Sequence, residues 1–237
     1  MEGKVAVVTG GATGIGLGIA LRFAQAGALV TICGRRRSLL DELVAKSQLE
    51  GWDVSAVQAD VSMETDVERL VSSVLERQGR IDILVNNAAI GGGAEIHTHS
   101  VEAWDRILAV NLRGPFLLSR YVLPIFRTQQ SGHILMISSE SAMNHYRGDG
   151  AYGVSKHALN ALAEYIQVEN QSHGVRVDTI CPGMVVTEMT EGLAGLDYER
   201  CLEPGDIADL AYWLVTRREN IKIGTPILIQ TMLNPWE

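Results

Sequence analysis

An α/β fold with a doubly wound parallel sheet of about seven strands is what this 237-residue sequence predicts. Three observations lead there. Short apolar runs alternate with longer stretches of helical periodicity along the chain. Several of those runs are nearly continuous in Val, Ile and Leu, as strands covered on both faces are. The first run ends in a glycine-rich turn that opens a helix. Alternation at this spacing builds βαβ units, hence parallel strands with helices on both sides.

Taken in order, "KVAVVT" (4–9), "ALVTIC" (28–33), "DVSAVQ" (53–58), "IDILVN" (81–86), "HILMIS" (133–138), "VRVDTIC" (175–181) and "PILIQ" (226–230) read as strands. Helices are expected near 14–26, 39–50, 63–79, 101–130, 151–172 and 204–217. Ser38 with Asp41 makes a capping-box pattern before "LLDELVAKSQLE", and Gly51 follows as its stop. With no repeat and no Pro-, Gly- or Ser-rich linker, residues 1–237 are expected to form one domain. The long irregular piece 183–203, "GMVVTEMTEGLAGLDYERCLE", is expected to act as a substrate lid.

Bulk properties narrow the function. Apolar residues make up 46% of the chain, enough for a sizeable core, and the net charge of −8 excludes a broad nucleic-acid footprint. Residues 5–21 carry no charge, but five glycines interrupt them, so no membrane span is expected. Cys33, Cys181 and Cys201 show no metal-like or disulfide-like spacing and read as buried, reduced thiols of a cytoplasmic protein. The "HTH" at 97–99 has no third ligand at a recognisable spacing, so no metal is expected.

The turn "TGGATGIG" (9–16) supplies Gly10, Gly14 and Gly16, where the backbone turns tightly and the helix start offers unpaired N–H groups to phosphate. In its strand–turn–helix setting this is a dinucleotide site, with Thr13 and Ile15 in the same turn. Further on, "GAYGVSKHAL" (150–159) sets Tyr152 and Lys156 one helical turn apart on one face. A phenol ionises near pH ~10 and is a poor base at neutral pH, whereas a neighbouring cation favours the phenolate.

These motifs, in this order and over nearly the whole chain, resemble the short-chain dehydrogenase/reductase family in its compact single-domain form. "TGGATGIG" is similar to its cofactor glycines and "NNAA" (86–89), with Asn87 and Ala88, to its NNAG. Asn111 in "AVNLRG", Ser139 in "LMISSES" and Tyr152 with Lys156 in "YGVSK" match its catalytic set. Pro182, Gly183, Val185 and Thr187 of "CPGMVVT" match its nicotinamide loop, and Asp60 with Val61 in "ADVS" its adenine contact. Ala89 departs from the family's glycine, and the chain lacks the glycine pair many members carry after the last strand.

The resemblance implies a Rossmann-type fold and roles for each residue. Tyr152 is the proton donor and acceptor. Lys156 lowers the tyrosine's pKa and binds the nicotinamide ribose, Ser139 holds the substrate oxygen, and Asn111 anchors a water relaying protons from Lys156. It also implies a small-molecule carbonyl or hydroxyl substrate (ketone, aldehyde or 3-oxoacyl) and a homodimer or homotetramer. The rival readings are a non-catalytic NADP(H)-binding sensor, which would lack part of the tetrad, and an epimerase or dehydratase, which would need a larger C-terminal part.

"TICGRRRS" (31–38) bears on the cofactor. An NAD site usually places an acid at the end of the second strand; here Gly34 stands there and Arg35 follows. Three arginines ahead of a helix start oppose its dipole, so a phosphate partner is expected, and NADP(H) is favoured over NAD(H). Thr13 stands where many NADP-users carry a second basic residue. His145 and Tyr146 are expected on a pocket wall, and Glu140 is expected to point to solvent.

Overall fold

A computed structural model of the chain describes residues 1–236. Seven strands form one parallel sheet: β1 (Val5–Thr9), β2 (Leu29–Gly34), β3 (Val54–Gln58), β4 (Ile83–Asn86), β5 (Gly132–Ile137), β6 (Val175–Pro182) and β7 (Ile227–Ile229). Their order is β3-β2-β1-β4-β5-β6-β7, so the winding direction reverses between β1 and β4. The helices are α1 (Gly14–Gln25), α2 (Arg37–Leu49), α3 (Glu64–Gln78), α4 (Val101–Leu108), α5 (Gly114–Gln129), α6 (Gly150–Asn170) and α7 (Pro204–Thr216). The doubly wound α/β expectation holds.

The period-two geometry of a strand divides the core between two faces. Val5, Val7, Leu84, Ile134 and Met136 pack against α3, α5 and α6. Their neighbours Ala6, Val8, Ile83, Val85, Leu135 and Ile137 pack against α1, α2 and α7. Because both faces are covered, these runs carry no polar alternation, which is why they read as continuous apolar segments.

Two local expectations are corrected. The capping box at Ser38 does not form: α2 starts at Arg37 with Arg36 as its N-cap, and Asp41 instead takes the Arg37 guanidinium one turn earlier. The single helix expected over 101–130 is broken by a π-helical turn, Ala109–Arg113, between α4 and α5. Pro115 explains part of the break, since it has no N–H for the carbonyl four residues back. That carbonyl belongs to Asn111.

Far from the strands' C-terminal ends, a buried ionic cluster joins β5, β6 and the end of α7. His133 Nε2 lies 2.6 Å from Asp178 Oδ2, and Arg217 Nη1 lies 2.8 Å from the same oxygen. The three side chains are 3%, 2% and 4% exposed, respectively. Burial pushes the Asp178 carboxyl up, but the bonds from His133 and Arg217 outweigh it and hold the group below its ordinary range. Removing the acid would strand a buried guanidinium. Asp178→Ala is expected to lower the unfolding free energy by about 3–5 kcal/mol in urea denaturation; Asp178→Asn, which keeps hydrogen-bonding atoms in place, is expected to lose less.

Candidate functional site

At the C-terminal ends of the strands, where the order reverses, a cleft of about 580 Å³ opens. Its floor is set by Thr9, the last residue of β1. The Thr9 hydroxyl donates to the Val85 carbonyl (3.2 Å) and accepts from the N–H groups of Asn87 and Ala88 (both 3.0 Å). Asn87 Nδ2 in turn donates to the carbonyls of Thr9 (2.9 Å) and Gly10 (3.3 Å).

This packing needs its glycines. Gly10 and Gly14 have φ of +61° and +51°, a region side chains rarely adopt. A Cβ on Gly16 would lie 2.3 Å from the Gly10 carbonyl oxygen and 2.4 Å from Asn87 Nδ2, so Gly16 keeps the turn closed without lining the cleft. Thr13, the N-cap of α1, makes no side-chain cap, so the helix's first-turn N–H groups face the cleft without a side-chain acceptor. That arrangement fits a nucleotide's phosphates.

Of the residues singled out in the sequence, Gly10, Thr13, Gly14 and Ile15 line the cleft together with Arg35, Asp60, Val61, Asn87, Ala88, Tyr152, Lys156 and Thr187. Asp60 also accepts from the Ser62 N–H (2.9 Å) and hydroxyl (2.6 Å), so one carboxylate shapes its own turn and borders the cleft. Pro182, Gly183 and Val185 do not reach the wall. Val185 packs into the core beside α1 and α7 and pairs with Leu202.

The tetrad is brought together, with two differences from its expected contacts. Ser139 lies two residues past the end of β5; its Oγ accepts from the Ser141 N–H (3.1 Å) and hydrogen-bonds the Tyr152 phenol. Lys156 is 2% exposed, and its Nζ donates to the Ile137 carbonyl at 2.8 Å, 5.5 Å from the Tyr152 ring centre. Burial drives both groups toward neutrality: Tyr152 is pushed up to about 12, eased by the Ser139 bond, and Lys156 is pulled down to about 8. The Lys156 hydrogen bond thus goes to the end of β5, with the ammonium over the Tyr152 ring. The Asn111 side chain is also committed elsewhere, accepting from the Ile90 N–H and donating to the Ile90 carbonyl (2.9 Å each) and Ser155 Oγ (3.0 Å).

Glu140 is corrected as well. It is half-buried and accepts hydrogen bonds from Gln230 on the C-terminal tail and from Tyr146, whose phenol pKa is raised by burial and then by the Glu140 charge. The residues that sequence reasoning passed over are Thr9, Ser138, Ser155, Glu188 and Gln230. Ser138 Oγ donates to the Lys156 carbonyl at 3.2 Å. Thr9 and Ser138 carried a usable signal, a hydroxyl ending an apolar strand, but Glu188 and Gln230 act on partners far away in the chain. All three cysteines are buried and unbridged, as expected.

A family model described as "short chain dehydrogenase" matches residues 4–195. Dehydrogenase/reductase SDR family member 4 of Sus scrofa is 37% identical over 241 residues, covering 97% of this chain and 86% of that protein. Among solved structures, the 3-ketoacyl-(acyl-carrier-protein) reductase from Brucella melitensis, complexed with NADH, superposes with a TM-score of 0.90 at 30% identity over 97% of each chain. A metagenomic short-chain oxidoreductase in complex with NADP gives 0.85 at 33% identity over 98% of this chain and 99% of that one.

The buried lysine makes stability depend on pH with a definite sign. The folded chain releases the Lys156 proton near pH 8, whereas the unfolded chain keeps it until the ordinary 10.5. Between those values the unfolded state binds more protons, so folding strengthens as pH rises. The unfolding free energy of the wild type relative to Lys156→Met is expected to climb from about pH 8 toward pH 10; a flat difference would place the lysine's proton elsewhere.

Proposed function

The chain belongs to the short-chain dehydrogenase family, and from that premise we propose an NADP(H)-dependent oxidoreductase with Tyr152 as its general acid and base. Its substrate is a ketone, aldehyde or 3-oxoacyl group, or the corresponding alcohol. The observation that carries this reading is the meeting of Ser139, Tyr152 and Lys156 beside the uncapped start of α1.

Bound in the cleft, the nicotinamide would supply the hydride for reduction or receive it in oxidation. The first turn of α1 and the glycine turn would hold the phosphates. At neutral pH the raised pKa of Tyr152 keeps its phenol protonated, which suits proton donation to a carbonyl oxygen. Ser139, already paired with the phenol, offers its hydroxyl to the same oxygen and holds it in line. Once the phenol has given up its proton, the Lys156 ammonium stabilises the phenolate and returns a proton, itself restored through a water anchored at Asn111. Alcohol oxidation runs the same path in reverse.

Arg35 at the end of β2, with Gly34 in place of an acid, supports NADP(H) over NAD(H). The relatives solved with NADP and with NADH show that this fold accommodates both nucleotides. Residues 183–203 act as the substrate lid of a single catalytic domain spanning 1–237. Apolar side chains exposed on α5 and α6, such as Phe116, Val154, Tyr165 and Val168, suit assembly into a homodimer or homotetramer. Among the described residues no helix is long and apolar enough to cross a membrane, and three buried free thiols accord with the reducing cytoplasm.

Two substitutions test the reading. Tyr152→Phe is expected to lower kcat by about 10²-fold or more while nucleotide binding persists; near-normal turnover would remove the phenol from the mechanism. Arg35→Asp is expected to weaken NADPH binding by about tenfold or more and NADH binding far less. Equal losses for the two nucleotides would undo the assignment of Arg35 to a 2′-phosphate.

A further inference from the structure

The three arginines after β2 have different partners. Arg37 is held by Asp41, both of whose oxygens lie 2.8 Å from its Nε. Arg35 lines the cleft and forms no ion pair among the described residues. Arg36 reaches across the cleft mouth. Its Nη2 lies 2.7 Å from Glu188 Oε2 and 3.5 Å from Thr13 Oγ1, and its Nη1 lies 3.3 Å from Glu188 Oε1. The contact therefore ties together three walls of one cleft: the end of β2, the glycine turn and the segment after β6.

Two features make this pair exchangeable. Both side chains are more than half exposed, at 57% and 55%, and an exposed pair holds its ends together by no more than about fivefold. A phosphate monoester is the stronger competitor, with a charge of about −1.5 to −2 and three acceptor oxygens against one carboxylate. The glycine turn itself brings no basic side chain, so Arg36, resting on Thr13, supplies the cation at that corner. Glu188 neutralises it.

We infer that Glu188 is a cofactor-selecting residue, and that the Arg36–Glu188 pair is a latch opened by a 2′-phosphorylated nucleotide. Resting on the nucleotide site proposed above, the inference adds a direction that Arg35 alone does not give. The Glu188 carboxylate competes with the phosphate for Arg36 and repels it, so the acid weakens the preference for NADP(H). When the phosphate takes Arg36, the segment carrying Thr187, Glu188 and Met189 loses its tie to the β2 wall. A nucleotide without that phosphate leaves the tie in place.

Equilibrium titrations of NADPH and NADH against the full chain, followed by nucleotide fluorescence, test this without any turnover. Glu188→Gln is expected to tighten NADPH by about threefold or more and leave NADH nearly unchanged, with the gain shrinking at high salt. Arg36→Gln is expected to weaken NADPH selectively, and adding Glu188→Gln to it is expected to recover much less than in the wild type. If the wild type binds both nucleotides but Glu188→Gln leaves their ratio unchanged, or shifts both together, the latch is refuted and the nucleotide site stands. If the wild type binds neither, the functional reading fails and the inference falls with it.

Discussion

The Thr9 hydroxyl sits where the sheet reverses its winding, and the cleft depends on it. At that point two adjacent strands, β1 and β4, carry their chain away in opposite directions and leave a gap at their carboxyl ends. One donated and two accepted hydrogen bonds use the full capacity of the hydroxyl, fixing the β4 end against the β1 end. Asn87 then reaches back to the carbonyls of the glycine turn. The turn thus hangs on side chains that strand ends supply, and Gly10 and Gly16 are required because Asn87 leaves no room for a Cβ at either. The uncapped start of α1 follows from the same closure.

A second constraint acts around Lys156. Burying an ammonium with one carbonyl as its partner disfavours the charged form, and burying a phenol disfavours the phenolate. Both groups are therefore biased toward neutrality, the protonation state of a tyrosine ready to donate and a lysine close to its own titration. The π-helical turn contributes from the opposite wall. By committing the Asn111 side chain to Ile90 and Ser155 it braces the strand β4 exit against α6.

How much of this was legible depended on sequence distance. The strands were legible because burial on both faces makes them continuously apolar, and the Tyr152–Lys156 pairing because one helical turn fixes it. The capping box failed because Asp41 had a stronger local partner in Arg37, a charge-assisted bond against a neutral cap. The destination of the Lys156 hydrogen bond was hidden for a similar reason: i, i+4 spacing sets Tyr152 and Lys156 on one face, but the Ile137 carbonyl, brought by β5, takes the ammonium's hydrogen bond. Glu140 was misread because its partner, Gln230, lies 90 residues away. Motif spacing describes what one element presents; it carries nothing about which acceptor another element delivers.

That same distance organises the surroundings of Ser139 and the segment after β6. Three contacts of β7 and the residues after it meet there: the Gly183 N–H donates to the Ile229 carbonyl at 2.8 Å, Gln230 binds Glu140 beside Ser139, and the Asp197 N–H donates to the Pro235 carbonyl at 2.8 Å. The tail therefore bridges the turn bearing Ser139 and both ends of the irregular segment after β6. These segments have little regular structure, so their positions are set by this cross-bracing more than by their own backbone hydrogen bonds. The nucleotide cleft and these segments are accordingly built from different materials. The first rests on strand ends and a helix start, where geometry is imposed by the sheet. The second rests on a tail and a loop that hold each other, where a change of sequence alters the pocket without disturbing the fold beneath it.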